Sequence, residues 1–206
     1  MYLTKLLLNP AHTDARRDLG DAYQMHRTLS RAFAAGADGP VSRFLWRLER
    51  ERVPGTGSAV LVQSAAPGGW QQLGETVGYL AVPASEKNVA LDRLVSTGAH
   101  CRFRLRANPS VKRDGKRWGL HGEQPQLDWL SRQGSRLGFV MTGADVSQRE
   151  RLRSPQSRTG AVITVDSVQF DGQLRVVDAP MLRAAMLSGI GPGKALGLGM
   201  LSLAPA

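Results

Sequence analysis

The pattern of apolar and polar positions in the first half of the chain predicts a strand followed by an amphipathic helix. Residues 2–8 form a short apolar run that stops at an Asn-Pro pair, which is typical of a buried strand. Residues 22–35 carry apolar side chains at helical spacing, and Gly36 follows them as a stop signal. The polar residues 14–18 between these two elements are interpreted as a connector.

The predicted helix begins with a strong local signal. Asp21 is a good N-cap residue, and Gln24 stands three positions later, so the two form a potential capping box. Further expectations for this half are a strand at 43–49, a turn at 54–57, a strand at 59–63, a helical turn at 70–73 and a last strand at 77–82. The resulting order of elements is that of a ferredoxin-like domain.

The second half repeats this order around a more elaborate hairpin. Residues 100–107 alternate strictly between apolar side chains and arginines, which predicts a strand with one buried face. Further expectations are a basic loop at 109–115, a short strand at 117–120, a short helix at 126–132, extended segments at 137–142 and 146–152, a basic tip at 153–160, a strand at 161–170, a turn at Asp171 and Gly172, a helix at 179–187 and a closing strand at 198–203. We therefore predict an α+β fold with two tandem ferredoxin-like (RRM-like) domains, at 1–85 and 99–206, joined by a linker at 86–98 with one helical turn.

The overall charge indicates which kind of partner the chain binds. The 206 residues carry a formal net charge of +10 and a sequence pI near 10.8, and a chain this basic usually binds a polyanion such as nucleic acid. Cys101 is the single cysteine, which argues against an internal disulfide and against Cys-rich zinc fingers. No stretch has the length and hydropathy of a signal peptide or a membrane helix, so we expect a cytoplasmic protein with no membrane partner.

The glycine-rich stretch at 189–199 suggests a nucleotide site, but its spacing does not fit. Ser188 stands where a P-loop needs its first glycine, and Ala195 follows Lys194 where a P-loop needs Ser or Thr. Leu196 occupies the third glycine position of a dinucleotide-binding fingerprint. Two interpretations stay open, a tight turn from helix to strand and a loop that approaches a phosphate backbone closely.

The histidines do not indicate a metal centre. His12, His26, His100 and His121 are scattered without ligand spacing, and the chain lacks the nucleophile elbow of a serine hydrolase. We therefore expect neither a metal nor another cofactor.

His26 is the titratable group that most favours chemistry. It lies one turn inside the predicted helix, where the positive end of the helix favours neutral imidazole, and Tyr23 lies one turn away. A surface histidine without a role is the alternative, and it is the commoner case. In a chain with a polyanionic partner, imidazole and phenol together suit cleavage of RNA by its own 2′-hydroxyl group.

Two basic runs favour a track for phosphates over a merely solvated surface. Residues 102–117 contain seven Lys or Arg against one Asp, and residues 149–158 contain four Arg against one Glu. A basic hairpin tip can enter a groove of helical RNA. No strand is rich in the aromatic side chains that stack single-stranded bases, so an RNA duplex or hairpin is the favoured ligand.

Three motifs resemble the CasE endoribonucleases of type I-E CRISPR systems. They are Leu-Thr-Lys-Leu at 3–6 with Leu-Asn-Pro at 8–10, Ala-Tyr-Gln-Met-His-Arg-Thr-Leu-Ser at 22–30, and Gly-Pro-Gly-Lys-Ala-Leu-Gly-Leu-Gly at 191–199 with Leu-Ser at 201–202. They lie at both ends of the chain and in the expected order. The resemblance implies metal-independent cleavage of CRISPR repeat precursor RNA at the 3′ base of its hairpin, which leaves a 2′,3′-cyclic phosphate. It also implies that the product crRNA stays bound and that the protein is a subunit of the Cascade complex.

The resemblance implies His26 and Tyr23 as catalytic residues. Arg31 stands where relatives often have Lys; it keeps the positive charge, but an arginine does not deprotonate. Together with the charge pattern, this predicts a set of residues that bind the RNA substrate: Arg27, Ser30, Arg31, Arg102, Arg104, Lys112, Arg113, Lys116, Arg153, Arg158, Gly191, Gly193 and Lys194. Two other functions stay open, a non-catalytic subunit that only binds an RNA hairpin and a basic domain associated with the ribosome.

Overall fold

The computed structural model describes residues 1–34, 39–49, 57–74, 76–155 and 162–206, and these pack into two compact units. The first unit comprises Met1–Val89, Arg153–Ile163 and Ala195–Gly197, and the second comprises Ala90–Leu152, Thr164–Lys194 and Leu198–Ala206. The units follow spatial packing, so two short segments from the second half of the chain belong to the first unit. The predicted domain limits along the chain, 1–85 and 99–206, stay a prediction.

Four strands and three helices lie in the described part of the first segment of the first unit, Met1–Val89. They are β1 (Tyr2–Leu8), α1 (Thr13–Gly20), α2 (Ala22–Arg31), β2 (Phe44–Leu48), β3 (Ser58–Ser64), α3 (Gln71–Gly74) and β4 (Ser85–Asn88). The strands form one antiparallel sheet in the order β2-β3-β1-β4. Apart from Gly57, the turn predicted at 54–57 lies outside the described residues.

Alternate residues of β1 create the core of the first unit. Leu6 and Leu8 are fully buried, and Leu6 pairs with Val60 on β3. Helix α2 buries Met25 and Leu29 in the same hydrophobic cluster. Since side chains two apart in a strand share one face, the apolar run fixes which face of the sheet receives the helix.

The connector predicted at 14–18 is instead part of helix α1. His12 caps this helix, because its Nδ1 accepts a hydrogen bond of 3.2 Å from the backbone N–H of Asp14. Asp18 is 1% exposed, and its carboxylate accepts hydrogen bonds from the Tyr79 hydroxyl at 2.9 Å and from Arg17. The buried side of the helix therefore contains a carboxylate with one partner next to it in sequence, Arg17, and one distant partner, Tyr79. Local hydropathy does not reveal the distant one.

The fourth strand of the first sheet lies later in the chain than predicted. The expected strand at 77–82 contributes one isolated bridge, between Leu8 and Leu80, whereas Ser85–Asn88 pairs with the first half of β1. Glu86 anchors this strand, because its Oε2 accepts hydrogen bonds from Thr4 at 2.9 Å and from the Trp70 indole N–H at 2.7 Å. Helix α2 also ends at Arg31, before the predicted end at residue 35.

The second unit contains a longer set of elements. They are α4 (Leu91–Leu94), β5 (His100–Ala107), β6 (Ser110–Arg113), β7 (Lys116–Gly119), α5 (Glu123–Leu137), β8 (Phe139–Pro155, whose end belongs to the first unit), β9 (Val162–Val176), α6 (Ala179–Ser188) and β10 (Leu201–Pro205). The main sheet has the order β10-β5-β9-β8, and β6 and β7 form a separate hairpin. The helical turn expected in the predicted linker is α4.

The two main sheets share one topology. If the strands of each sheet are numbered by their order in the chain, both run fourth, first, third, second, which is the ferredoxin-like arrangement. The prediction of an α+β fold with tandem ferredoxin-like domains is confirmed. The alternation predicted for β5 holds from Cys101 to Leu105, since Cys101, Phe103 and Leu105 are buried and Arg102 is exposed. It is wrong at Arg106, which is also buried, where it pairs with Glu150 and Ser167.

One predicted turn and one predicted loop of the second unit are wrong. Asp171 and Gly172 lie inside the continuous strand β9, where a Cβ on Gly172 would come within 2.2 Å of the Gly143 carbonyl oxygen. This glycine therefore serves a close approach of two backbones rather than a turn. The basic loop expected at 109–115 is mostly hairpin β6–β7, and its turn is the Asp114-Gly115 pair with positive φ at both residues.

Three other elements of the second unit have bounds that differ from the predicted ones. The short helix expected at 126–132 extends over Glu123–Leu137, and the segments expected at 137–142 and 146–152 are one strand, β8. The closing strand begins at Leu201 rather than at residue 198.

Candidate active site

The N-terminus of α2 is held by two side chains. Asp21 Oδ1 accepts a hydrogen bond of 2.9 Å from the Tyr23 backbone N–H, as expected of an N-cap. Ser154, which lies at the end of β8 and in the same unit, accepts a second one at 3.2 Å from this N–H and donates its own hydroxyl to Asp21. The Gln24 side chain accepts a hydrogen bond from Arg27, so the expected capping box is not formed.

His26 lies at the end of a chain of aromatic rings. Its imidazole stacks on Phe44 with ring centroids 5.0 Å apart and planes inclined by 24°. Phe44 stacks on Phe33 at 4.7 Å, and Phe33 meets Trp70 edge to face at 5.4 Å. The Trp70 indole is in turn fixed by its hydrogen bond to Glu86. The imidazole plane is thus set by packing that reaches into the core of the first unit.

Burial sets the protonation state of this imidazole. His26 is half-buried, and the loss of hydration lowers its pKa below the ordinary value of 6.5, so the ring is neutral at pH 7. Its Nδ1 is buried and has no hydrogen-bond partner among the described residues. A buried polar atom without a partner costs folding stability and needs an explanation.

The neighbouring side chains of α2 supply a hydroxyl group and positive charge. Tyr23 is half-buried one turn before His26, and Arg27 and Arg31 are exposed. Ser30 donates its hydroxyl to the His26 carbonyl oxygen at 2.7 Å, so this hydroxyl already has an acceptor within the helix. The structure therefore brings together all five of the residues predicted on α2.

The predicted binding residues outside α2 are more dispersed. Arg153 is exposed at the end of β8, within the first unit, and has no hydrogen bond or ion pair among the described residues. Arg158 lies outside the described residues. Lys112, Arg113 and Lys116 are exposed on hairpin β6–β7 of the second unit.

Two predicted arginines of β5 lie on the outer face of the second sheet. Arg102 and Arg104 line an open cavity of about 680 Å³ together with residues of β9 and β10. Arg104 forms an ion pair of 2.7 Å with Asp171, and this pairing lowers the pKa of Asp171 against the opposing effect of burial. Arg102 donates to the carbonyl oxygen of Pro205 at 3.2 Å.

Backbone conformation and close packing explain two glycines of the glycine-rich stretch. Gly191 and Gly193 have φ of +78° and +85°, a region that favours glycine. A Cβ on Gly191 would lie 3.1 Å from the Trp129 ring, and one on Gly193 would lie 2.9 Å from the Leu198 side chain. Lys194 is half-buried at the start of a 3₁₀ turn. A close turn explains this segment, and contact with RNA stays a prediction.

The described part of the chain shows neither a cluster of metal ligands nor a helix that could span a membrane. No cluster of three or more His, Cys, Asp or Glu side chains is arranged there to hold a metal ion. None of the helices in the same residues has the length and apolar character needed to cross a bilayer.

Comparison with known proteins identifies the family. The model of a family described as CRISPR associated protein matches residues 1–205. The CRISPR-associated endoribonuclease Cse3 of Thermus thermophilus is 40% identical over the full length of both chains. The chain belongs to the Cse3/CasE family of CRISPR-associated endoribonucleases. The Cascade subunit CasE of Escherichia coli K12 is 32% identical over the full length of both chains.

A solved structure of the Cse3/CasE family supports the fold. A Cse3 endoribonuclease bound to a 19-nucleotide RNA superimposes with a TM-score of 0.88, at 38% identity and with complete coverage of both chains. The resemblance predicted from the three sequence motifs is thereby confirmed for the family and for the fold.

Two residues that contact helix α2, Phe44 and Ser154, were not predicted as part of the site from the sequence of this Cse3/CasE-family chain. Phe44 begins a strand, and its apolar character indicates only burial. Ser154 lies 133 positions after Asp21, and it is 1% exposed. Both act through contacts that are distant along the chain, and no local pattern signals such contacts.

Proposed function

We propose that this chain cleaves CRISPR repeat precursor RNA at the 3′ base of its hairpin, without a metal ion, by attack of the neighbouring 2′-hydroxyl group. The observation that carries this proposal is the neutral, half-buried His26 beside Tyr23 and two exposed arginines on one helix. The relatives support the choice of substrate, since one of them is named a CRISPR-associated endoribonuclease and a similar structure holds an RNA.

In the proposed mechanism, His26 is the general base. Because its Nδ1 is buried, Nε2 is the nitrogen that takes the proton of the 2′-hydroxyl group. The 2′-oxygen then bonds to phosphorus, the bond from phosphorus to the 5′-oxygen breaks, and the leaving oxygen takes a proton from water. The products are a 2′,3′-cyclic phosphate and a 5′-hydroxyl, and His26 returns its proton to the solvent. Tyr23 orients the phosphate, and Arg27 and Arg31 stabilise the negative charge that develops on it.

We further propose that the basic residues of the second half hold the RNA after cleavage. The E. coli relative is named a Cascade subunit, and retention of the product would make this chain one as well. The cytoplasmic location expected from the sequence stays a prediction, which cell fractionation would test.

Cleavage of repeat RNA in EDTA tests the absence of a metal requirement. The purified chain should cleave the RNA at the same rate with EDTA as with Mg²⁺. The products should carry a cyclic phosphate, which acid treatment opens. An absolute requirement for a divalent cation would contradict the mechanism.

A 2′-deoxy nucleotide at the cleavage site separates an enzyme from a simple binding subunit. It removes the nucleophile, so cleavage should stop while the affinity for the RNA changes little. A chain that cuts neither RNA but binds both equally would be a non-catalytic hairpin-binding subunit. Cleavage of the deoxy RNA at the same bond would require a different nucleophile.

A further inference from the structure

Hairpin β6–β7 stands apart from both main sheets and exposes an aromatic ring. Its strands pair only with each other, with Val111 opposite Trp118 and Arg113 opposite Lys116. Lys112–Gly119 are all exposed, and the base of the hairpin is closed by a hydrogen bond from Leu120 N–H to the Pro109 carbonyl oxygen. An isolated two-stranded hairpin has little core of its own, so the exposed side chains of β6 and β7 contribute little to the packing of the fold.

The pairing register gives the hairpin two different faces. Side chains directly opposite each other, and those two positions further along, share a face. Val111, Trp118, Arg113 and Lys116 therefore lie on one face, which we call the Trp118 face. Ser110, Lys112, Arg117 and Gly119 lie on the other, where Arg117 donates to the Ser110 hydroxyl at 3.2 Å.

Trp118 differs from the other tryptophans of the chain. Trp46, Trp70 and Trp129 are buried, whereas Trp118 is 57% exposed. A single exposed apolar side chain is common on protein surfaces, so the informative feature is that Arg113 and Lys116 share a face of the hairpin with Trp118. A flat ring with two cations on the same face suits a ligand with flat apolar rings joined by phosphates, which is a nucleic acid with unstacked bases.

We propose that the Trp118 face is a second RNA-binding element that holds single-stranded RNA. Trp118 stacks on an unpaired base, and Arg113 and Lys116 contact the adjacent phosphates. Bases inside a duplex are already stacked on each other and offer no face to a side chain, so the strand next to the repeat hairpin is the ligand rather than the hairpin stem. The identification of that strand as repeat RNA rests on the proposed function, but the chemistry of the face does not.

Binding of two non-cleavable RNAs tests the proposal. One is the repeat hairpin with a 2′-deoxy nucleotide at the cleavage site, and the other carries about eight additional unpaired nucleotides at its 5′ end. The extension should strengthen binding to the unmodified chain. Trp118→Ala should lower the affinity for the extended RNA about 5- to 150-fold, which is the loss expected for one stacked base, and Trp118→Phe should retain most of it.

A pair of double variants provides a matched control for charge. Arg113→Gln with Lys116→Gln, and Lys112→Gln with Arg117→Gln, each remove two positive charges from the same hairpin. The first pair lies on the Trp118 face, and the second lies on the opposite face. The first should reduce the contribution of the extension more than the second, although their net charges are equal. Equal losses would show that the hairpin acts only through its total charge.

Fluorescence quenching reports on Trp118 directly, because acrylamide reaches an exposed indole more easily than a buried one. A 12-nucleotide unstructured RNA should protect the accessible emission of the unmodified chain, and Trp118→Phe should remove that accessible component. This probe contains no repeat hairpin. Its protection would therefore persist even if the chain failed to cleave repeat RNA.

Three results would overturn the proposal. The first is equal affinity of Trp118→Ala and the unmodified chain for the extended RNA. The second is an equal loss on the extended and the unextended hairpin, which would assign Trp118 to the stem. The third is a defect limited to assembly with other protein subunits, which would make the Trp118 face a protein interface. Unchanged thermal unfolding of the variants excludes a folding defect.

Discussion

The two units use the same strand order but differ in the side chains that α2 and α5 place against their sheets. In the second unit, α5 buries Trp129, which stacks on Phe170 with centroids 6.2 Å apart, and Gln126, whose amide is hydrogen-bonded to Leu120 and Arg149. In the first unit, α2 places His26 on Phe44 and leaves Nδ1 without a partner among the described residues. A missing partner does not by itself mark a site, since Trp46 Nε1 and Asn108 Oδ1 are also buried without a partner among the described residues. His26 differs from these two in being an acid–base group.

The two halves of the chain also differ in net charge, which is small in the first half and strongly positive in the second. Residues 1–89 contain ten Lys or Arg against eight Asp or Glu, whereas residues 90–206 contain 17 against nine. The chemistry proposed for α2 is therefore located in the less charged half, and most of the capacity to bind a polyanion is located in the other. Under the proposed function, the same topology serves catalysis in the first unit and RNA binding in the second, depending on a few side chains.

The largest expected effect is the loss of cleavage in His26→Ala. Removal of a general base costs roughly 10²- to 10⁴-fold in rate. The affinity for repeat RNA should change little, because most binding comes from phosphate contacts. Single-turnover cleavage and filter binding on the same RNA measure the two quantities.

His121→Ala is the matched control, since it removes a highly exposed histidine from the second unit. Its cleavage rate should stay within about twofold of the unmodified rate. Equal rate losses in the two histidine variants would remove the distinction between the units.

A smaller effect is expected when the ring beneath His26 is removed. Phe44→Leu keeps an apolar side chain but loses a stacking contact of about 0.5–1.5 kcal/mol, which corresponds to roughly a 2- to 10-fold lower cleavage rate if the stack positions the imidazole. Phe170→Leu makes the same change beneath Trp129 and should leave the single-turnover rate with saturating enzyme unaltered. A rate loss in both variants would indicate general loosening of the fold.

The smallest expected effect concerns single arginines. Arg153→Gln should weaken RNA binding about fivefold at 0.15 M salt and reduce the salt dependence by about one phosphate contact. Arg104→Gln should weaken it less, because Asp171 already pairs with Arg104. RNA affinities of both variants, measured over a range of salt concentrations, test these two expectations. A larger loss in Arg104→Gln would place the outer face of the second sheet on the RNA path.

The elements that local periodicity encodes were predictable from sequence. The residues Tyr23, His26 and Arg27 fall on one side of α2 because helical spacing places them there, and the alternation of β5 fixes its buried face. The family followed from motifs at both ends of the chain. The catalytic and binding roles of the individual residues stay predictions.

The elements that depend on distant partners were not predictable. Helix α1 is polar along its sequence, and Tyr79, some 60 residues later, supports its buried Asp18. The true fourth strand is polar as well, and it is recognisable only by its pairing with β1. The stack of Phe44 on His26 arises in the same way. The sequence predicted a neutral imidazole from the positive end of the helix, whereas in the structure burial lowers the His26 pKa.

The most direct test of the central claim compares two titrations of His26. Since burial lowers its pKa and the neutral ring is the base, cleavage should follow the neutral fraction of the ring and fall as the pH falls through the lowered His26 pKa. The imidazole pKa from NMR of the free chain should lie below 6.5, at the midpoint of the acid limb of kcat/KM. A His26 pKa at or above 6.5, or an acid limb that persists unchanged in the residual activity of His26→Ala, would contradict the account.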